Sequence, residues 1–391
     1  MPMACADLVE LLQVCVRGAM AAQRYIILEL LQLDSSDAPR RDVRIADFEP
    51  QSLRMLRDRL RHVVTVGVKG QLAHKEGTAA NDLVTTADIV TQTVLERALA
   101  DAFPDMPFTL VGEEDANTSA AIASQVDDCM RRFLVADFPI PLQADLNRHA
   151  CTESRLICAE TYEELRSRIG VFLDPIDGTN CFVDGHWTAP LTLVGITLDG
   201  LPVAGVVNRL FYCTIDDVTC GSGAECGSLS YVWNDASTGP FLLHEGRRVL
   251  PRAAPVRDTI GPLTPLRVVR SGTTSGKCFD RFLLQLQPVE PRSARGAGNK
   301  LMLLVASGLH LSEAATNAAC DVFVAPECSI SKWDTCGPHA FLLAVGGDIC
   351  TLRGEPIRCL FKGADTAKEL LDGVVAVTRW SMAEVLRRMH W

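Results

Sequence analysis

Ile169-Gly170-Val171-Phe172-Leu173 runs directly into Asp174-Pro175-Ile176-Asp177-Gly178-Thr179, and this stretch decides how the chain is read. The first five residues have the short apolar content of a buried strand. Asp174 and Asp177 then sit at a strand's carboxyl end, where open α/β sheets hold their ligands. Pro175 fixes its own φ and keeps Asp174 out of the α region, so the two acids are splayed around a rigid bend. Gly178 lets the backbone come close to a ligand, and Thr179 adds a hydroxyl. The segment reads as a metal and phosphate site, although Asp-Gly is also a common hairpin signal and these residues alone leave a surface turn open.

Working outward, 391 residues with 48% hydrophobic and 22% charged side chains describe a globular chain long enough for about two to three domains. A net charge of -10 disfavours a nucleic-acid partner, which calls for a basic face. An acidic chain that handles phosphate needs local positive charge, and divalent cations supply it compactly. The fifteen cysteines are scattered with no Cys-x-x-Cys pair. Cys181, Cys213, Cys220, Cys336 and Cys350 are therefore expected to be small buried apolar groups in a reducing compartment, with no structural zinc. Glu10, Arg17, Arg24 and Glu29 interrupt the apolar segment from Ala6 to Leu33, which argues against a membrane span or a signal peptide. Met389-His390-Trp391 is not the peroxisomal tripeptide, so the cytoplasm is the expected location.

Residues 6–33 are expected to form one amphipathic helix, from Leu8, Leu11, Leu12, Cys15, Met20, Ile26 and Leu30 at helical spacing. A second, exposed helix is expected around 51–61. Asn81 to Asp88 opens a long helix through Leu99, and residues 118–166 read as a peripheral insertion. Alternating runs at 191–197 and 203–207 predict antiparallel strands joined at Asp199-Gly200. The polar region from 233 to 265 is the expected domain boundary. Beyond it the pattern predicts strands at 266–269 and 322–325 and helices at 299–307 and 335–345.

More acids belong beside the opening segment. Gly112-Glu113-Glu114 follows an apolar run, Trp333-Asp334 stands at a helix start, and Asp88 lies in the first turns of its helix. Each alone suits a solvated acid or a cap, Asp334 especially. Together, Asp88, Glu113, Asp174, Asp177 and Asp334 would repel one another in one pocket unless cations lay between them. Hard oxygen ligands suit magnesium, whereas zinc would call for His or Cys. His339 is expected to be a packed or hydrogen-bonded residue and not a catalytic base.

Gly-Glu-Glu, Asp-Pro-Ile-Asp-Gly-Thr and Trp-Asp before a helix, in this order, resemble the lithium-sensitive, magnesium-dependent phosphatases that include inositol monophosphatase and fructose-1,6-bisphosphatase. The resemblance spans roughly residues 65–350 in scattered blocks. It implies a layered α-β-α-β-α sandwich of the α/β class, with an N-terminal α+β domain (1–235) carrying most metal ligands and a C-terminal α/β domain (236–391). It implies two or three Mg2+ ions held by Glu113, Asp174, the Ile176 carbonyl, Asp177 and Asp334, with Li+ inhibitory. By the same resemblance Asp88 orients Thr179, which activates the attacking water together with Glu113, and Glu114 supports them from behind. Phosphate oxygens would meet Gly178 and Thr179.

The long stretch between Glu113 and Asp174 resembles the inositol polyphosphate 1-phosphatase and bisphosphate nucleotidase branches. Gly296, Ala297, Gly298 and Lys300 suit a second, non-reacting phosphate. Glu327 suits ring hydroxyls better than an adenine, and Ser271 and Thr273 add contacts. The implied activity is removal of the 1-phosphate of inositol 1,4-bisphosphate, and of inositol 1,3,4-trisphosphate as a further substrate, by a monomer with no membrane partner. A 3'(2'),5'-bisphosphate nucleotidase is the alternative, and a non-catalytic inositol-phosphate-binding protein a third. The link at 310–320 departs from the family pattern in length.

Overall fold

The computed structural model describes residues 3–30, 66–71, 81–115, 119–134, 140–184, 188–211, 229–250, 264–271, 282–309, 320–359, 370–378 and 381–389. The helix expected at 51–61, Cys213, Cys220, Thr273 and most of the 310–320 link lie outside them. The first part holds β1 (Ala4–Asp7), α1 (Leu8–Tyr25) with a π-helical turn at Ile26–Leu30, β2 (Val66–Gln71), β3 (Asn81–Thr85), α2 (Thr86–Ala102) and β4 (Thr109–Gly112). Next come α3 (Ala120–Phe133), α4 (Gln143–His149), α5 (Thr152–Arg155), β5 (Leu156–Ala159), α6 (Tyr162–Arg168), β6 (Ile169–Asp177) and α7 (Thr179–Asp184). A run of strands follows: β7 (Leu191–Leu198), β8 (Leu201–Arg209), β9 (Leu229–Asp235), β10 (Gly239–His244), β11 (Arg247–Val249), β12 (Leu266–Ser271) and β13 (Val289–Ala294). The chain closes with α8 (Ala297–Gly308), β14 (Val322–Ala325), α9 (Lys332–Ala344), β15 (Asp348–Thr351), β16 (Val374–Val377) and α10 (Met382–Met389).

Two larger sheets, ordered β11-β10-β9-β8-β7-β6-β4 and β13-β12-β14-β16-β15, form the second and fourth of five layers. Strand alternation builds the packing. Val171 and Leu173 of β6 face one core with α1 and α2, while Phe172 between them faces the other with α8 and α9. On the far side of the smaller sheet, Val268, Val322, Val324 and Val375 pack against Leu286, Val385 and Met389. The layered sandwich that the resemblance implies is what the chain adopts.

Three departures have physical reasons. Helix α1 is buried on nearly every side and not on one face alone, because α2, α3 and the sheet surround it. The 118–166 segment is not merely peripheral, since Ile122, Val126, Cys129, Leu146 and Leu165 join that same core. The larger sheet continues through β10 and β11 to Val249, so a boundary between 235 and 236 would fall in the turn of the β9–β10 hairpin.

Cysteine chemistry divides in two. Cys181, Cys336 and Cys350 are buried free thiols, as expected. Cys5 and Cys158, however, face each other across the antiparallel β1–β5 pair and form a disulfide, with Cα atoms 4.2 Å apart. No sequence spacing signals a pair 153 residues apart. No helix among the described residues is long and apolar enough to cross a membrane.

The close seat of α9 on the larger sheet positions the site. A Cβ at Gly195 would lie 2.6 Å from the Gly337 nitrogen, and one at Gly337 would lie 2.7 Å from the Val194 carbonyl. Backbone therefore meets backbone only because neither residue has a side chain. Phe341 and Leu342 are fully buried behind this contact, each contributing about 1.5–3 kcal/mol to holding the helix against the sheets.

Candidate active site

Asp174 and Asp177 both belong to β6, and the pairing with β7 slips between them. That bulge is the structural form of the Pro175 bend. It lets two acids at positions that would alternate in a regular strand serve one site. Gly178 follows at φ +86°, a conformation that favours glycine, and turns the chain into α7. β4 runs parallel to β6 in register, and the Glu113 N–H donates to the Leu173 carbonyl at 3.0 Å, which brings Glu113 beside Asp174. Asp334 enters from the first turn of α9, where its carboxylate accepts from the Ser331 N–H at 2.6 Å.

The ligand oxygens of Asp174, Asp177 and Asp334 all lie within 4.8 Å of one another. Asp174 is 2% exposed, and its Oδ1 has no hydrogen-bond partner. Burial, then the charges of Glu113, Asp334 and Asp177, raise its pKa. Burial and the Asp177 charge push Asp334 up to about 7. Asp177 rises to about 6 through burial, held down by the Ala297 amide and the Lys300 ammonium. Several acids that resist ionising together, with one oxygen left without a donor, fit a hard divalent cation.

Asp88 completes a second feature. It is fully buried at the third position of α2, where it accepts from the Thr85 N–H at 2.7 Å and from the Thr85 hydroxyl, and Thr85 caps the helix in return. Its other oxygen lies 2.9 Å from the Thr179 hydroxyl, which is also 3.0 Å from the Ile176 carbonyl. Burial pushes Asp88 up to about 7 against the Thr85 hydrogen bond, and Glu113 and Glu114 add to the rise. The expected Asp88–Thr179 pair is thus formed, and the Ile176 carbonyl faces the same hydroxyl.

Other expected residues fall differently. The Ala297 and Asn299 amides, at the start of α8, donate to the Asp177 carboxylate at 2.9 Å and 3.3 Å. A Cβ at Gly296 or Gly298 would come within 2.9 Å or 3.1 Å of Asp177 Oδ2, so these glycines make room for the acid. The helix start expected to meet a second phosphate is engaged instead in fixing Asp177. Lys300 is 9% exposed with its ammonium 5.2 Å from the centre of the Phe323 ring, so it faces inward. Ser271 ends β12 beside Ala294 of β13, and Glu327 is exposed in the turn after β14, so both stand at the carboxyl ends of neighbouring parallel strands. His339 is buried and bonded to Asp348 at 3.0 Å, as expected of a structural residue.

Sequence reasoning missed Lys69 and Gln92. The Lys69 ammonium meets Glu113 at 2.8 Å and Glu114 at 2.5 Å, and although burial works against it these acids raise its pKa. Gln92 brackets the Glu114 backbone, accepting from its N–H at 2.8 Å and donating to its carbonyl at 2.7 Å. Neither carries a spacing signal. The Thr85-x-x-Asp88 capping pattern was there to be found.

The inositol monophosphatase family model matches residues 51–388. The rat 3'(2'),5'-bisphosphate nucleotidase 1 is 27% identical over 290 residues, covering 74% of this chain and 78% of that protein. The human inositol polyphosphate 1-phosphatase is 23% identical over 350 residues, covering 77% and 81%. Among solved structures, the suhB protein of Bartonella henselae superposes with a TM-score of 0.51 at 16% identity, covering 97% of this chain and 98% of that one. The last likeness is one of fold.

Proposed function

Since the chain belongs to the inositol monophosphatase family of metal-dependent phosphatases, we propose that it removes the 1-phosphate of inositol 1,4-bisphosphate, using Mg2+ and inhibited by Li+. The observation that carries the hydrolytic reading is the Asp174, Asp177 and Asp334 cluster beside the Thr179–Asp88 pair. Asp174, Asp177, Asp334 and Glu113 would hold the cations. When bound, these supply neutralisation of the phosphate charge and a lowered pKa for water.

The chain's own groups do the rest. Thr179 accepts a proton from the attacking water as it passes its own to the Asp88 carboxylate, so its hydroxyl is restored and the buried Asp88 ends protonated and neutral. Burial raises the Asp88 pKa, which makes its carboxylate a stronger proton acceptor. Lys300 and the α8 amides keep Asp177 ionised and aimed at the cluster. Glu327 and Ser271, at the strand ends, face the substrate's hydroxyl groups in this reading.

A second reading has its own observation. The nucleotidase relatives are 27–28% identical to this chain, against 20–23% for the inositol polyphosphate 1-phosphatases. In that case Glu327 would meet a ribose hydroxyl. Phosphate release from inositol 1,4-bisphosphate, inositol 1-phosphate and adenosine 3',5'-bisphosphate, measured side by side with Mg2+, decides between them. The first substrate should be turned over fastest. Faster release from the nucleotide would replace the inositol reading with the second one.

A further inference from the structure

We propose that the end of β6 away from the acids carries a second site, a small cavity that binds one free oxyanion the size of phosphate. Gly170 of β6 pairs with Thr109 of β4 and with Thr197 of β7, so these three residues form one row across the larger sheet. The row stands before Asp174 by about 13 Å of strand. Between it, the last turn of α6 and the segment at Cys359 lies a cavity of about 160 Å³. Cavities of comparable volume hold a guest the size of benzene, so one tetrahedral oxyanion fits.

Arg166 and Arg168 line this cavity and are already fixed in place. Arg168 Nε and Nη2 donate to the two oxygens of Asp199 at 2.9 Å and 3.0 Å, and Arg166 Nη1 donates to the Asp105 and Met106 carbonyls at 3.0 Å and 3.2 Å. Arg166 Nη2 and Arg168 Nη1 have no hydrogen-bond partner among the described residues. They are donors on held guanidiniums, and such groups make the strong hydrogen bonds to anions. Glu163, the carboxylate at the cavity, meets Arg166 Nε at 3.3 Å and is 85% exposed, so it can swing into water as an anion enters. Thr197 supplies a third donor. It is 1% exposed, yet its hydroxyl reaches only the Gly170 and Cys359 carbonyls, both at 3.5 Å, well beyond the usual O–H···O distance. The Thr109 and Ser167 hydroxyls donate to the Arg166 and Glu164 carbonyls, so recognition falls to the two arginines and Thr197.

The test titrates sodium phosphate, by calorimetry, into full-length protein in EDTA, where the acid cluster without metal repels an anion. Wild type should bind one equivalent, and sodium sulfate should compete for the same site. Arg168→Gln should weaken phosphate binding about tenfold, and Thr197→Val, which keeps the shape of the side chain, should weaken it severalfold. Ser167→Asp leaves the ion pairs of both arginines in place and sets a carboxylate at the cavity, so it should abolish binding. It also supplies the comparison should loss of the Arg168–Asp199 pair disturb folding. Asp174→Asn should bind phosphate as tightly as wild type, since the two ends of β6 are separate. No binding by wild type, or binding that Arg168→Gln and Ser167→Asp leave unchanged with native circular dichroism, would overturn the proposal. Neither result touches the metal-dependent reading, which is tested with Mg2+ present.

Discussion

Replacing Asp174 with asparagine should make the metal-free protein more stable while abolishing its activity. Asp174 is 2% exposed, and its Oδ1 has no hydrogen-bond partner. Glu113, Asp334 and Asp177 all press on its charge. The scale can be read from Asp334, raised from 3.8 to about 7. At about 1.4 kcal/mol per pKa unit, one such acid carries an ionisation penalty on the order of 4 kcal/mol above neutral pH. Burial accounts for the larger part and repulsion for the remainder. A neutral isostere at Asp174 removes its own penalty and relieves its neighbours, and reorganising the buried amide offsets part of this. The net gain should be about 1–3 kcal/mol, or a few degrees in Tm. Scanning calorimetry of EDTA-treated protein at pH 8 measures it. At pH 5.5 the gain should shrink, because the wild-type cluster is then largely protonated. Phosphate release with Mg2+ should fall to background. A variant no more stable than wild type in EDTA at pH 8, or one that keeps its activity, would refute the reasoning.

Other consequences follow from the same groups. Asp88, Asp177 and Asp334 have folded-state pKa values raised to about 7, 6 and 7, above the unfolded value of 3.8. Their protonated forms favour the fold, so metal-free stability is fully present below about pH 4 and is lost as pH rises through 6 to 7. Melting curves in EDTA should show that decline, with the added stabilisation by Mg2+ larger at pH 8 than at pH 5.5. Thr179→Val removes the hydroxyl that bonds Asp88 and Ile176, so kcat should fall steeply while calorimetric metal binding stays, and Thr179→Ser should restore much of the rate. Gly337→Ala places a Cβ 2.7 Å from the Val194 carbonyl, and denaturant unfolding should show a loss of about 1–3 kcal/mol.

The site was legible where chemistry clusters in sequence. Asp174 to Thr179, Gly112-Glu113-Glu114 and Trp333-Asp334 each pair acids with strand or helix ends, and the structure puts those ends together. The layered fold was what the resemblance carried by these motifs implied. What stayed hidden depends on distant partners. Asp177 holding the start of α8 joins residues 120 apart, and only the assembled layers show that Gly296 and Gly298 serve a carboxylate. Lys69 is a lysine after a valine-rich run until a bulge aims it at Glu113. The apolar residues of α1 mark a helix but cannot say how many sides are covered, which α2, α3 and the sheet decide.

The central claim is that cations sit among Asp174, Asp177 and Asp334. Crystals grown with Mn2+ and measured for anomalous scattering test it most directly. Peaks in contact with all three carboxylates, and with the Asp174 Oδ1 that lacks a donor, are expected, and they should vanish in Asp174→Asn. Well-ordered crystals in millimolar Mn2+ with no peak among these acids, or with peaks only elsewhere, would contradict the account.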